Sequence, residues 1–309
     1  MKIGGVTVVF NESNMVKYIM PYYERMQIDK LIVMDNLSTD DTCEQLAKYD
    51  FVEIRRFDTN GKFDDRVNSD FKQSVTKELI DEGYDWVYCG DFDEIIWCEN
   101  DNFKEELEKI EKLGGTVLCR DMIAPFSDVI EDTFDNTKLI HEQRPYYVTE
   151  HDFTGKWGFS KVLLRHKSIE EIRLSLGAHE CGFPTKGIKS ESGKVVMFGY
   201  PFYTFHLKWV DWQVLEKNSH DKHTRIQWRL DEPGCTIVDA SFTKRLYSRT
   251  SGYDNIQKMI NRWMQKLNKI NIFGWENFKK YYNDNFKVNY NKQAKNARVI
   301  RLDYNNINL

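Results

Sequence analysis

The chain has 309 residues, 41% of them hydrophobic, 14% aromatic and 30% charged. That composition excludes disorder, a collagen-like repeat and a disulfide-stapled miniprotein, and leaves a globular protein with a sizeable core. The net charge of −4 conceals a split: residues 1–240 hold 30 basic and 44 acidic side chains, whereas 241–309 hold 14 and 4, and blocks of one sign mark where partners of the other sign sit.

Met1 and Lys2 lead directly into the strand pattern Ile3-Gly-Gly-Val-Thr-Val-Val-Phe10, so no targeting segment is expected. No apolar run approaches the roughly eighteen residues of a membrane helix. Strands are expected at 3–10, 30–35, 51–57, 85–91 and 116–120, with helices at 14–26, 40–49, 66–82 and 101–113. This alternation is the pattern of an α/β fold with a mostly parallel central sheet. Pro21 is expected to kink or shorten the first helix. Asp40 or Thr39, in Ser38-Thr39-Asp40-Asp41-Thr42, is expected to cap the second. From 121 to 240 the order is less regular, with extended segments at 158–165, 174–181, 194–199 and 202–209. After 240 the chain reads as helical and basic: Ile256, Met259, Ile260, Trp263, Met264 and Leu267 share one helical face, with Lys258, Arg262, Lys266 and Lys269 elsewhere. The chain thus divides into a body, 1–240, and a basic helical C-terminal region, 241–309, whose Asn- and Lys-rich end is expected to be loosely ordered. Cys43, Cys89, Cys98, Cys119, Cys181 and Cys235 form no CxxC pair and read as free thiols in a reducing, cytoplasmic setting.

The segment Trp86-Val-Tyr-Cys-Gly-Asp91-Phe-Asp93-Glu94 carries the clearest chemistry. A hydrophobic strand ends in two carboxylates at i and i+2, and in an open α/β sheet ligands bind at the carboxyl ends of strands. Two close carboxylates repel each other, which a hard divalent cation relieves; such a cation can bridge them to a diphosphate and stabilise its charge as a leaving group. The other reading is a solvated acidic turn. Two more strand ends are polar: Phe10-Asn11-Glu12, and Asp35-Asn36-Leu-Ser38-Thr39-Asp40-Asp41-Thr42.

Together these segments resemble the nucleotide-sugar-binding half of GT-A fold glycosyltransferases, in particular glycosyltransferase family 2 and the family 92-like group. The resemblance covers residues 3–97, weakens over 98–210 and is absent from the tail. It implies a Rossmann-like GT-A domain over 1–240, with a nucleotide-sugar-binding half (1–97) and an acceptor half (98–240). It implies Asn11, Glu12, Asp35, Asn36, Arg66 and Asp91 beside the nucleotide sugar, with Asp35 on the base, conventionally uracil. Asp91, Asp93 and a late histidine, His206, would hold Mn2+ or Mg2+, and an imidazole ligand favours manganese. Capping and ion pairing are the competing readings for the Ser38–Thr42 turn and for Arg66, and a satisfied core histidine is the competing one for His206.

The implied reaction moves a sugar, hexosyl or pentosyl, from a nucleotide diphosphate to an acceptor hydroxyl. Inversion requires a base, for which Glu180 or His179 in Gly177-Ala-His-Glu-Cys181 is the candidate, with Asp121, Glu150 and Asp152 as competitors. Here the chain departs from family 2, whose x-E-D signature is not recognisable. Trp157, flanked by Gly155 and Gly158, offers a sugar-stacking face or a loop anchor. His220-Asp-Lys-His-Thr-Arg225 reads as a basic loop that could close over the diphosphate. A Gly-rich phosphate loop is missing, which disfavours a nucleotidyltransferase or a Rossmann dehydrogenase. A glycan is the expected acceptor. The basic tail also admits an anionic membrane surface, with the protein peripheral to it, or a polyanionic acceptor such as modified nucleic acid. A non-catalytic carbohydrate- or nucleic-acid-binding module is the alternative of another class.

Overall fold

In a computed structural model of the protein, the described residues are 1–60, 62–112, 117–119, 122–130, 133–149, 163–166, 169–172, 188–190, 195–197, 201–226, 247–267, 273–283 and 299–301. The first half runs β1 (Ile3–Val9), α1 (Ser13–Arg25), β2 (Lys30–Asp35), α2 (Thr42–Leu46), β3 (Val52–Arg56), α3 (Asp65–Asp81), β4 (Trp86–Cys89), β5 (Glu94–Cys98) and α4 (Phe103–Lys112). It continues through β6 (Val117–Cys119), β7 (Met122–Phe126), α5 (Ile140–Gln143), β8 (Tyr146–Thr149), β9 (Leu163–His166), β10 (Ile169–Ile172), β11 (Ile188–Ser190), β12 (Val195–Met197) and β13 (Phe202–His206). After β13 come α6 (Trp212–Arg225), α7 (Tyr253–Leu267) and β14 (Val299–Arg301), with a further helical stretch at 275–283.

The protein is a mixed α/β fold around a largely parallel sheet of order β14-β12-β6-β9-β4-β1-β2-β3. β1 lies parallel to both β2 and β4, and β2 is parallel to β3. β9 runs antiparallel between β4 and β6. The apolar runs of β1, β2 and β4 belong to strands covered on both faces, and Ile3, Val6, Leu31, Ile32, Val33, Trp86 and Val87 are all fully buried. Parallel pairing has a direct consequence for the site. Val9 stands opposite Asp35 and Val6 opposite Cys89, so the segments after β1, β2 and β4 emerge at the same edge.

A second sheet, β5-β13-β7-β8, is built from residues distant in sequence. β13 pairs antiparallel with β5, placing His206 opposite Glu94, and parallel with β7. An aromatic cluster ties this sheet to the helices: His141 stacks on Phe205 at 4.5 Å, lies tilted against Trp97 at 4.5 Å and meets Trp275 edge-on at 5.0 Å. Burial drives its pKa well below the ordinary histidine value, so it is a neutral core residue.

Several expectations are refined. α1 runs unbroken through Pro21; the carbonyl that loses its partner is that of Lys17, an exposed residue, where water can serve it. α2 is shorter than 40–49. Its N-cap is Asp41, while Asp40 Oδ1 accepts the Thr42 N–H at 3.1 Å. β4 ends at Cys89, and β5 is a separate strand after the acidic turn. The expected basic loop at 220–225 is the C-terminal end of α6, its last six residues. The expected segment 174–181 and the last residues of the tail lie outside the described residues. Cys43, Cys89 and Cys98 are buried free thiols. Among the described residues no helix is long and apolar enough to cross a membrane.

The amphipathic pattern of the tail is explained by packing. Ile256, Met259, Ile260, Trp263 and Leu267 of α7 are buried against Phe126, Trp209, Trp212 and Leu215, with Trp263 4.8 Å from Trp209 and 4.9 Å from Phe126, both edge to face. Truncating Trp263→Ala is expected to cost about 3–5 kcal/mol. Urea denaturation measures it as a fall in midpoint at unchanged slope; an unchanged midpoint would show that this face carries no packing energy.

Candidate active site

The edge where β1, β2 and β4 end gathers the polar turns. Asn11 adopts a left-handed conformation (φ 54°), tolerable for Asn. Its Oδ1 accepts the Thr39 N–H at 2.8 Å, its own N–H donates to Ser38 Oγ at 3.0 Å, and the Glu12 N–H donates to Thr42 Oγ1 at 2.8 Å. Asn11 and the Ser38–Thr42 turn therefore brace each other. Asp35 is fully buried; its Oδ1 accepts the Ser38 N–H at 3.0 Å and its Oδ2 lies 3.6 Å from Arg56 Nε. Asn36 exchanges a side-chain hydrogen bond with Thr59 at 3.0 Å. Arg66 is exposed on the first turn of α3, which Asp64 caps by accepting the Arg66 and Val67 N–H groups.

The Gly90–Glu94 turn is held from beneath. The Tyr88 hydroxyl folds back under it and reaches the carbonyls of Asp91, at 3.0 Å, and Glu94. Only glycine fits at 90, because a Cβ there would lie 2.3 Å from the Tyr88 hydroxyl. The two aspartates of the turn point to different partners. Asp91 Oδ1 is in ion-pair contact with Lys72 Nζ, whereas Asp93 Oδ2 lies 3.3 Å from His206 Nε2. The second sheet makes that pairing: the β5/β13 register sets His206 opposite Glu94, and the Leu207 N–H donates to the Asp93 carbonyl at 2.7 Å. Asp93 and His206, 113 residues apart in sequence, thus lie 3.3 Å from each other, while Asp91 pairs with Lys72.

α6 closes one side. Asp211 caps it by accepting the Gln213 and Val214 N–H groups at 3.0 and 3.1 Å, and also receives the Tyr18 hydroxyl at 2.7 Å. The helix is thereby fastened to α1, with Asn218 donating to Glu12 Oε2 at 2.9 Å and Lys217 to the Asn11 carbonyl at 3.1 Å. At its last turn the Arg225 guanidinium lies 3.6 Å over the Phe10 ring, and burial pushes its pKa down to about 10.

The electrostatics are uneven. Burial would raise Asp93, yet the His206 charge and hydrogen bond, with Lys208 nearby, hold it below the usual carboxylate range. Glu12 goes the other way: burial first, then the Asp93 charge, push it up to about 8. Lys72 is disfavoured by burial, but the charges of Asp91, Cys89 and Glu94 outweigh this and raise it.

Among the described residues no three His, Cys, Asp or Glu side chains already surround a common point that could hold a metal. The Asp93–His206 separation nonetheless matches that of adjacent ligands on an octahedral cation, about 3 Å apart when each bond is about 2.1 Å. Mg2+ and similar ions are commonly held by one or two carboxylates, with substrate phosphates completing the shell; Asp93 fits that role, and His206 would add a nitrogen ligand, which suits a transition-metal ion such as Mn2+ better than Mg2+. Glu180 and His179, with Asp121, Glu150, Asp152 and Trp157, lie outside the described residues. Lys72, Lys208, Lys217 and Asn218 were not foreseen. Lys72 had a signal: a lysine in the inward stripe Asp65, Ser69, Lys72, Val75, Thr76 and Leu79.

No family model matches the chain, and no curated protein sequence matches it. Among solved structures it is similar to glucosyl-3-phosphoglycerate synthase from Mycobacterium tuberculosis in complex with Mn2+, uridine diphosphate and glucosyl-3-phosphoglycerate, at 14% identity over 57% of this chain and 61% of that one, TM-score 0.31. It is similar to mannosyltransferase PcManGT from Pyrobaculum calidifontis in complex with GDP-Man and Mn2+, at 12% identity over 38% and 34%, TM-score 0.28. It is also similar to 4-diphosphocytidyl-2C-methyl-D-erythritol synthase from Anaerococcus prevotii, at 14% over 54% and 71%, TM-score 0.27. The chain spans about a third of the mannosyltransferase's length. Likenesses of this strength leave the substrate and the chemistry to this chain's own residues.

Glu12 supplies a test of the site's electrostatics. Its carboxyl titrates near 8 when folded and near its ordinary 4.5 when unfolded. Its stabilising contribution is therefore complete below about 4.5 and lost as pH rises through about 8. Glu12→Gln, which cannot ionise, is expected to flatten that decline, by something on the order of 1–2 kcal/mol given partial solvent screening. Urea denaturation of the metal-free proteins across this range measures it; parallel stability profiles for both proteins would show that Glu12 titrates normally.

Proposed function

We propose that the protein is a metal-dependent glycosyltransferase of GT-A type that transfers a sugar from a nucleotide diphosphate, with UDP as the first choice of carrier, to an acceptor hydroxyl with inversion. The observation that carries this reading is the contact of Asp93 with His206 at the edge where β1, β2 and β4 end, with Lys208 acting electrostatically on Asp93 and Glu12. The motif resemblance over residues 3–97 supports it independently.

In this reading Asp93 and His206 hold Mn2+ or Mg2+, which when bound neutralises the diphosphate leaving group. Lys208, Lys217 and Arg225 face the remaining phosphate charge. The nucleoside lies toward Phe10, Asn36 and Thr59, where Phe10 is already covered by a guanidinium. Asn11, Asp35 and the turn after β2 shape that wall by holding each other. Arg66, exposed on the first turn of α3, would meet the nucleotide as it binds. Glu180 or His179 is retained as the proposed base, and a glycan as the proposed acceptor.

Purified protein with a panel of nucleotide sugars is expected to show Mn2+-dependent release of nucleoside diphosphate, strongest with a UDP-sugar. Asp93→Ala and His206→Ala should each reduce it on the order of 100-fold or more, while UDP binding becomes indifferent to Mn2+ by calorimetry. Metal-indifferent UDP binding by the unmodified protein would sink the reading.

A further inference from the structure

The C-terminal end of α6 is fastened to the strand-end edge by two cations lying on two rings. Lys222 and Arg225 are three apart and share one helical face. The Lys222 Nζ stands 4.2 Å from the centre of the Phe63 ring, and the Arg225 guanidinium carbon 3.6 Å from that of Phe10. Hydrogen bonds add to the contact: the Phe63 N–H donates to the Arg225 carbonyl at 3.0 Å, and Arg225 Nη2 donates to the Lys62 carbonyl at 3.3 Å. That same carbonyl accepts the hydroxyl of Thr59, whose side chain is bonded to Asn36. The guanidinium is therefore built into the group Phe10, Asn36 and Thr59, the three residues proposed to face the nucleoside. At 3.6 Å it leaves no room for a second planar group on that face of Phe10.

A guanidinium is flat, weakly hydrated and suited to stacking on aromatic faces, and a nucleobase stacks on the same kind of face. The two are rivals for one ring. Glu12 interacts electrostatically with both Arg225 and Asp93, so the guanidinium and the Asp93 end of the site flank one carboxylate. We propose that Arg225 is a specificity-determining residue that changes partners: in the free protein it stacks on Phe10 in the place of the base, and when the base takes that ring the guanidinium turns to the diphosphate. The inference rests on the glycosyltransferase reading for the presence of a nucleoside diphosphate. A nucleoside without phosphates must displace the cation and offers it nothing in return. A diphosphate without a base leaves the cation on Phe10. One side chain thus couples recognition of the two halves of the nucleotide.

The test uses the full chain with Mn2+; UDP is titrated by calorimetry, and uridine is measured by its displacement of UDP. Arg225→Ala should bind uridine about threefold or more tighter, the scale of a cation–π contact that no longer has to be broken. It should bind UDP about fourfold or more weaker, because the lost charged contact to phosphate outweighs that gain. Phe10→Leu should weaken uridine binding and cancel the gain from Arg225→Ala, a coupling that a double-mutant cycle isolates. Weaker or unchanged uridine binding in Arg225→Ala overturns the proposal, as does a change of the same sign for uridine and UDP. Should Arg225→Ala fail to fold, Arg225→Gln, which keeps most of the length without the charge, decides by the same two opposite signs. Absence of any UDP binding by the unmodified protein overturns the nucleotide-sugar reading itself and the inference with it, an outcome distinct from UDP binding that Arg225 does not govern.

Discussion

The crowding of carboxylates at one sheet edge is the constraint that organises this molecule. Parallel pairing of β1 with β2 and β4 is what brings Glu12, Asp35, Asp91 and Asp93 together, and like charges in a partly dry setting are costly unless each is answered. The chain answers each differently. Asp35 is buried and caps its own turn beside Arg56. Asp91 has Lys72 and Asp93 has His206. Glu12 holds its proton, with a pKa near 8, and accepts from Asn218. A site assembled this way is not a bare acidic patch, because each carboxylate already has a partner of its own.

That balance depends on elements far along the chain. The antiparallel register of β13 on β5 delivers His206 to Asp93, and α6 delivers Asn218 and Lys217 to Glu12 and Asn11. α6 sits where it does because Asp211 serves twice, capping the helix and receiving Tyr18 from α1. The N-terminal half supplies the carboxylates and the later segments supply most of the positive charge around them. Separating the two would leave the carboxylates unanswered, so the packing of the second sheet and the electrostatics of the site are one problem.

What was legible in the sequence follows the same division. The β1, β2 and β4 strand ends, the D-x-D turn and the capping role of the Ser38–Thr42 turn are local patterns, and local patterns survive in a linear reading. Lys72 left only a partial signal: its helical spacing from Ser69, Thr76 and Leu79 faces it inward, but a lysine two residues after Asp70 reads first as surface charge. Lys217 and Asn218 were not legible, because nothing local says that a helix over 200 residues later will lie on Asn11 and Glu12. The stretch at 220–225 reads as a loop because His220, Asp221, His223 and Thr224 rank low in helix propensity; capping by Asp211 and burial of Trp212, Leu215 and Ser219 make it helix. The acceptor side, where Glu180 and His179 were expected to act, gains nothing from the described residues.

The basic tail changes meaning once α7 is seen in place. An interfacial helix binds a bilayer by sinking its apolar face among acyl chains, and that face of α7 is buried on Phe126, Trp209 and Trp212. Presenting it to lipid would require α7 to unpack and expose Trp263, Ile260 and Ile256, at a cost of several kcal/mol by the same burial that makes them core. What α7 offers outward is Lys258 and Arg262, both exposed. Contact of this helix with an anionic surface or polyanionic acceptor would therefore be electrostatic, reaching only about a Debye length at physiological salt. Hydrophobic anchoring and charge attraction, one amphipathic property in the sequence, are separated by the fold: the apolar stripe is core, and the solvent face carries Lys258 and Arg262 together with Tyr253, Asp254 and Asn261.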